Sequence, residues 1–160
     1  MVENIFTIKA EDLNRLGPEE AVFAFGELLW SEARRLSIPL NKISISRRVS
    51  VPDGGVDASV RDVQTDEGII KSGYTTYQIK SGENFDPWTT SDINKEFFGT
   101  AQPSNENLAP SIKSCLEKNG TYILACFKKD INAEQLNKAN ACISAALLKA
   151  DFSSPKFEVW

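Results

Sequence analysis

Residues 52–60 read PDGGVDASV and residues 74–80 read YTTYQIK, with the turn-rich stretch TDEG at 65–68 between them. β-Branched and aromatic residues bounded by glycine, aspartate and proline predict two strands joined by a hairpin. Side chains alternate between the two faces of a strand, so Gln78 and Lys80 share one face and Ile79 points into the core. The separation of 78 − 57 = 21 residues leaves room for both strands and their turn. We therefore expect Asp57 and Gln78 to lie side by side.

The residues around this pair predict an α/β fold. Before it, an amphipathic helix begins at Pro18 and ends before Pro39, and residues 43–49 form a first strand. After it, the predicted elements are a helix at 109–118, a buried strand at 121–127, a long helix at 132–149 and a strand at 156–160. The irregular connection at 81–107 holds one short helix at 91–98, and we interpret the rest as a surface loop. The order α-β-β-β-α-β-α-β predicts a three-layer sandwich with a central mixed β-sheet flanked by helices.

Composition is that of one globular domain over residues 1–160, with 41% hydrophobic and 25% charged residues. The chain has neither a long apolar run nor a signal-peptide pattern, so we expect a cytoplasmic protein that does not enter membranes. Cys115, Cys126 and Cys142 are widely spaced, and we expect them to be reduced and packed. Because the sequence ends at Trp160 inside a strand pattern, we expect this domain to be the N-terminal part of a longer protein.

Histidine is absent from the sequence, and its absence excludes several kinds of site. Ser-His-Asp and Cys-His nucleophiles and His-ligated zinc all need an imidazole. Carboxylate, amide and lysine side chains remain, and these are typical of a Mg²⁺ site. An aspartate gives the cation a hard anionic oxygen, while a lysine stabilises charge on a phosphate or orients the attacking water. Asp57, Gln78 and Lys80 on adjacent strands therefore fit the hydrolysis of a phosphodiester.

The pattern Pro-Asp-Gly-Gly-Val-Asp at 52–57, followed by Gln-Ile-Lys at 78–80, resembles the PD-(D/E)xK nuclease superfamily. It is similar to the Gln-x-Lys, Mrr-like variant, which is also seen in effector domains of bacterial anti-phage defence proteins. The resemblance covers nearly the whole chain and implies a restriction-endonuclease-like fold. It implies that Asp57, Gln78 and the backbone carbonyl of Ile79 bind Mg²⁺, for which Mn²⁺ can substitute, and that Lys80 assists the attack.

Two of these positions have competing residues. Pro52-Asp53 spells the family's name, but Asp57 follows the glycine-rich turn and the β-branched residue that usually precede the functional aspartate, so we favour Asp57 over Asp53. Relatives often supply a glutamate from the first helix, for which Glu27 and Glu32 compete. Glu32 lies on the apolar stripe, where a carboxylate is costly unless it is paired or binds metal, so we favour Glu32 as a fourth catalytic and metal-binding residue.

Basic residues flank the motif, although the net charge of the chain is −4. We expect Arg34, Arg35, Arg47 and Arg48 to bind backbone phosphates of DNA, with a merely solvated face as the alternative. A structural ion pair of Glu32 with Arg35 or Arg48 is a second alternative.

The expected function is a Mg²⁺-dependent endonuclease that acts on double-stranded DNA, as the effector domain of a prokaryotic anti-phage defence protein. We expect a homo-oligomer that assembles through C-terminal regions beyond Trp160. Two alternatives remain: a catalytically inactive nuclease fold that serves nucleic-acid binding or oligomerisation, and a metal-dependent RNase. The neutral Gln78, in place of a carboxylate, is the main feature that favours the inactive alternative.

Overall fold

The computed structural model describes residues 10–46, 56–65 and 67–160, and it has one five-stranded mixed sheet at its centre. The strands are β1 (Ile43–Ile45), β2 (Ala58–Val63), β3 (Gly73–Lys80), β4 (Thr121–Cys126) and β5 (Lys156–Val159), and they follow one another across the sheet in chain order. The first three strands pair antiparallel, whereas β3, β4 and β5 pair parallel. The strand β3 therefore pairs antiparallel on one side and parallel on the other.

One face of the sheet is covered by α2 (Pro18–Arg35), which follows the short helix α1 (Ala10–Asn14). Proline at the first position and glutamates in the first turn start α2, since proline lacks the N–H that would be unpaired there and the acids complement the helix dipole. Phe25 and Leu29 of α2 pack on Tyr77 and Ile79 of β3 and on the same face of β2 and β4. We call this side the α2 face.

The other face carries α3 (Thr90–Phe98), α4 (Pro110–Glu117) and α5 (Ala133–Lys149). These helices connect the parallel strands, which require crossover connections because their starts lie at the same end of the sheet. Side chains from all three helices pack with Tyr122 and Leu124 of β4 in a second core cluster. We call this side the crossover face.

The predicted α/β sandwich with a central mixed sheet is confirmed, and its eight predicted elements occur in the predicted order. The short helix predicted at 91–98 is also present, as α3, whereas α1 was not expected from the sequence. The predicted first strand reached residue 49, and its part beyond Ser46 lies outside the described residues. Cys115, Cys126 and Cys142 are free thiols, as expected. None of the described helices has the length and apolar character needed to cross a membrane.

Candidate functional site

Asp57 lies directly before β2, beside the last residues of β3. Because the two strands are antiparallel, the start of β2 and the end of β3 lie at the same end of the sheet. The backbone N–H of Asp57 donates to the carbonyl of Tyr77 at 2.9 Å, and Oδ2 accepts from the N–H of Ile79 at 2.7 Å. These bonds on either side of Gln78 place Asp57 next to it, as the spacing of the two residues predicts.

Gln78 projects into the crossover face and is only 4% exposed. Its Nε2 donates to Oε1 of Glu96 on α3, and its Oε1 accepts from the hydroxyl of Tyr122 on β4. Tyr122 is fully buried, so the amide lies between a phenol in the core and a carboxylate nearer the surface. Both ends of the Gln78 amide therefore have a hydrogen-bond partner.

Lys80 follows Gln78 on the same face, and its Nζ lies 2.5 Å from Oε2 of Glu96. The two side chains are 23% and 19% exposed, so this ion pair lies at the border between core and solvent. Lys80 Nζ also lies 5.2 Å from the centroid of the Phe85 ring, which shields one side of the ammonium group. Glu96 consequently joins Gln78 and Lys80 through its two oxygens.

Electrostatics connects the two carboxylates with the buried phenol. Burial, followed by the negative charges of Glu96 and Asp57, raises the pKa of Tyr122 well above its ordinary value. Tyr122 is therefore a neutral hydrogen-bond donor at any physiological pH. Burial also raises the pKa of Cys126 to about 12, although the charges of Lys80 and Lys129 oppose this effect. The Cys126 thiol is therefore protonated at neutral pH.

The side chain of Ile79 packs in the core on the α2 face, as the alternation along the strand predicts. Its backbone N–H is the group that holds the Asp57 carboxylate. The role of its carbonyl as a metal ligand stays a prediction.

The structure does not bring Glu32, the expected fourth site residue, into contact with this cluster. It belongs to α2, which packs on the opposite face of the sheet from Gln78, Lys80 and Glu96. Its two carboxylate oxygens accept from Nε and Nη2 of Arg35 at 2.8 and 2.9 Å, so the alternative of a structural ion pair with Arg35 is the one observed. The hydrogen bond from Arg35 is the main reason that the pKa of Glu32 is lowered. Glu27, the competing residue, is exposed on the same helix.

The arginines expected to bind DNA are only partly described. Arg34 and Arg35 are exposed at the end of α2, and Arg35 pairs with Glu32 and Glu67. Arg47 and Arg48 lie outside the described residues, as does Asp53. An exposed arginine of β2, Arg61, is the basic residue of the motif's own strand.

Sequence reasoning missed Glu96 and Tyr122. Ile93 and Phe97 form the buried stripe of α3, and Glu96 lies next to Phe97 at the edge of that stripe. A carboxylate beside an apolar helical stripe was the available signal for Glu96. Tyr122 lies in an apolar strand buried on both faces, where a phenol needs a partner for its hydroxyl, and this requirement was the signal for a polar group nearby.

The donor atoms of the cluster fit a hard divalent cation. Asp57 and Glu96 provide carboxylate oxygens, the donor class that Mg²⁺ and Mn²⁺ prefer. Within residues 10–46, 56–65 and 67–160, no three histidine, cysteine, aspartate or glutamate residues come together as a metal-binding group.

A groove of about 300 Å³ lies beside Asp57. Its lining includes Ser44 of β1, Ser59 of β2 and Ser46 between them, all with short polar side chains. The three hydroxyl groups can donate hydrogen bonds to a polar ligand in this groove.

Comparisons of the chain with protein-family models, with curated proteins and with solved structures found no match.

Proposed function

We propose that this domain is a metal-dependent endonuclease that hydrolyses phosphodiester bonds of double-stranded DNA. The observation that supports the proposal is that Gln78 and Lys80 both contact Glu96 at the carboxyl end of β3, where the N–H of Ile79 holds the carboxylate of Asp57. Sites in sheets with parallel strands commonly lie at this end. The PD-(D/E)xK resemblance adds that the fold is restriction-endonuclease-like and that the domain is the effector of an oligomeric anti-phage defence protein.

Each residue of the cluster has a distinct task in this reaction. A bound Mg²⁺ or Mn²⁺ supplies charge neutralisation at the phosphoryl oxygens and a more acidic water. Asp57 would hold the cation through a carboxylate that Ile79 keeps in place. Lys80 has three N–H donors, of which one reaches Glu96, so two remain to contact a non-bridging phosphate oxygen. The residues therefore bind the cation and orient the phosphate.

A second candidate function is a nuclease fold without catalytic activity that binds nucleic acid or mediates assembly. The closed arrangement of side chains favours it: both ends of the Gln78 amide are occupied, and Lys80 is paired with Glu96. Such a network would stabilise the fold even if no cation bound. Binding of DNA without turnover is the behaviour expected from this candidate.

The experiment is a cleavage assay with supercoiled plasmid, single-stranded DNA and RNA, each with Mg²⁺, Mn²⁺ or EDTA. We expect nicked and linear plasmid with either cation and intact plasmid with EDTA. The variant Lys80→Met should lose at least about 100-fold in rate, since it removes the charge that stabilises the phosphate. The matched control is Lys138→Met, which removes a lysine from an exposed ion pair with Glu134 on α5.

Cleavage of RNA alone would replace the proposed substrate by RNA. Binding of plasmid without cleavage in either cation would favour the inactive nuclease fold. A Lys80→Met variant that cuts as fast as the Lys138→Met control would contradict the role of this cluster.

A further inference from the structure

We infer that Glu96 of α3 is the second anionic metal ligand of this site and that Gln78 is a positioning residue that holds Glu96, rather than a ligand itself. The inference rests on the proposed function and divides the roles differently from the sequence pattern. In that pattern Gln78 takes the place of a carboxylate ligand. In the structure the carboxylate is present but comes from a helix 18 residues further along the chain.

The orientation of the Gln78 amide is the first reason. An ionised carboxylate only accepts hydrogen bonds, so the group that faces Glu96 must be the NH₂ of the amide. The amide oxygen then points the other way, toward the hydroxyl of the fully buried Tyr122. Gln78 thus presents its nitrogen toward Glu96 and its oxygen toward the core.

The lone pairs of Glu96 are the second reason. A carboxylate has about four acceptor positions. The amide of Gln78 uses one on Oε1, and the ammonium of Lys80 uses one on Oε2. Each oxygen therefore retains acceptor capacity for a cation without loss of either contact. Glutamate at position 78 would instead set two carboxylates against each other, so the amide is the complement that Glu96 needs.

The rigid placement of α3 is the third reason. Ile93 and Phe97 are fully buried, and the Phe97 ring packs edge-on against Tyr122 with centroids 5.6 Å apart. The N–H of Ala109 donates to the carbonyl of Phe97 at 2.8 Å, which ties the last turn of α3 to the start of the next helix. Glu96 therefore stands on a fixed support, as a metal ligand requires.

The test measures Mn²⁺ binding by the full chain with isothermal titration calorimetry and electron paramagnetic resonance, apart from cleavage. Glu96→Gln keeps the shape of the side chain and removes its charge, and we expect it to weaken Mn²⁺ binding by about 100-fold or more. Gln78→Met keeps the volume and removes both amide contacts, and we expect a loss of only about 10-fold, the lower end of the roughly 10–100-fold range of residues that orient a ligand. Glu134→Gln, in an exposed ion pair on α5, is the matched control and should bind Mn²⁺ as the wild type does.

Thermal melts of each variant show whether the fold is retained. If Glu96→Gln does not fold, Glu96→Asp gives the second measurement: it retains the charge but withdraws the oxygens, so it should bind Mn²⁺ more weakly than the wild type while remaining folded. The inference is overturned if Glu96→Gln, or Glu96→Asp in its place, binds Mn²⁺ within about threefold of the wild type. It is also overturned if Gln78→Met loses as much Mn²⁺ affinity as Glu96→Gln, or if the wild type binds no Mn²⁺. Cleavage measured in parallel separates the two proposals. Normal cleavage by Glu96→Gln with unchanged Mn²⁺ binding would refute the role of Glu96 alone, whereas the expected binding without any cleavage would refute the nuclease alone.

Discussion

The three tyrosines of the chain provide a controlled measure of how firmly the Gln78 amide is held. Tyr122→Phe deletes one oxygen atom, whose proton bonds to Oε1 of Gln78. Since Gln78 is 4% exposed, water has little access to replace that bond. An unpaired buried acceptor costs about 1–3 kcal/mol, so we expect the free energy of unfolding to fall by about 2 kcal/mol. For a domain of this size that corresponds to a decrease in Tm of about 4–8 °C.

The other two tyrosines provide control variants for this change in stability. In Tyr77→Phe the lost hydroxyl donates to the carbonyl of Ile69 at 2.7 Å, in a partly exposed loop that water can reach. We expect this variant to lose about 1 kcal/mol. Tyr74 is partly exposed and packs its ring under Lys118, so Tyr74→Phe should change stability by less than about 0.5 kcal/mol.

Urea unfolding followed by tryptophan fluorescence gives the three values. The slope of the free energy of unfolding against urea concentration should stay unchanged, because none of the variants alters the surface exposed on unfolding. If Tyr122→Phe is as stable as Tyr74→Phe, the Tyr122 hydroxyl does not hold the amide oxygen of Gln78. The orientation in which the amide nitrogen of Gln78 faces Glu96 would then lack its support.

Three further predictions concern the fold around the site. Glu32→Gln should leave plasmid cleavage and Mn²⁺ binding unchanged, because α2 packs on the opposite face of the sheet from Gln78 and Lys80. A loss of cleavage in this variant would show that Glu32 belongs to the site. Gly120→Ala should lower the free energy of unfolding by about 2–3 kcal/mol in urea titrations, since its Cβ would lie 2.6 Å from the carbonyl oxygen of Tyr74, whereas Gly82→Ala meets no atom within 4 Å and should be nearly neutral. Burial raises the pKa of Tyr122, so the folded state keeps its proton more firmly than the unfolded state. The contribution of the protonated Tyr122 to the free energy of unfolding is complete below about pH 10 and is lost as the pH rises toward the pKa of the folded state. Stability should therefore decline above about pH 10, and it should decline less steeply in Tyr122→Phe.

The sheet and part of the site were accessible from sequence because they depend on local rules. Strand periodicity places Gln78 and Lys80 on one face and Ile79 on the other. The turn between the strands, together with the spacing of 21 residues, brings Asp57 beside Gln78. Both conclusions need only the geometry of two neighbouring strands.

Residues contributed by helices were less predictable because their positions depend on how each helix packs. The apolar stripe of α2 did not tell which face of the sheet this helix covers. Glu96 lies in a connection that the sequence marked as mostly irregular, and only the packing of Phe97 against Tyr122 brings it to Gln78. A contact between residues 18 positions apart on a strand and a crossover helix is set by tertiary structure, which periodicity alone does not contain.

The most direct measurement of the site's function compares cleavage of supercoiled plasmid by Asp57→Asn and Asp62→Asn in Mn²⁺. Both variants remove one carboxylate at or next to β2, and asparagine at 57 still accepts the N–H of Ile79 while asparagine at 62 tolerates the positive φ of 53°. We predict that Asp57→Asn produces no cleavage above an EDTA blank and that Asp62→Asn cuts as the wild type does. Equal cleavage by the two variants, with both folded, would contradict the assignment of a metal-dependent nuclease site to Asp57.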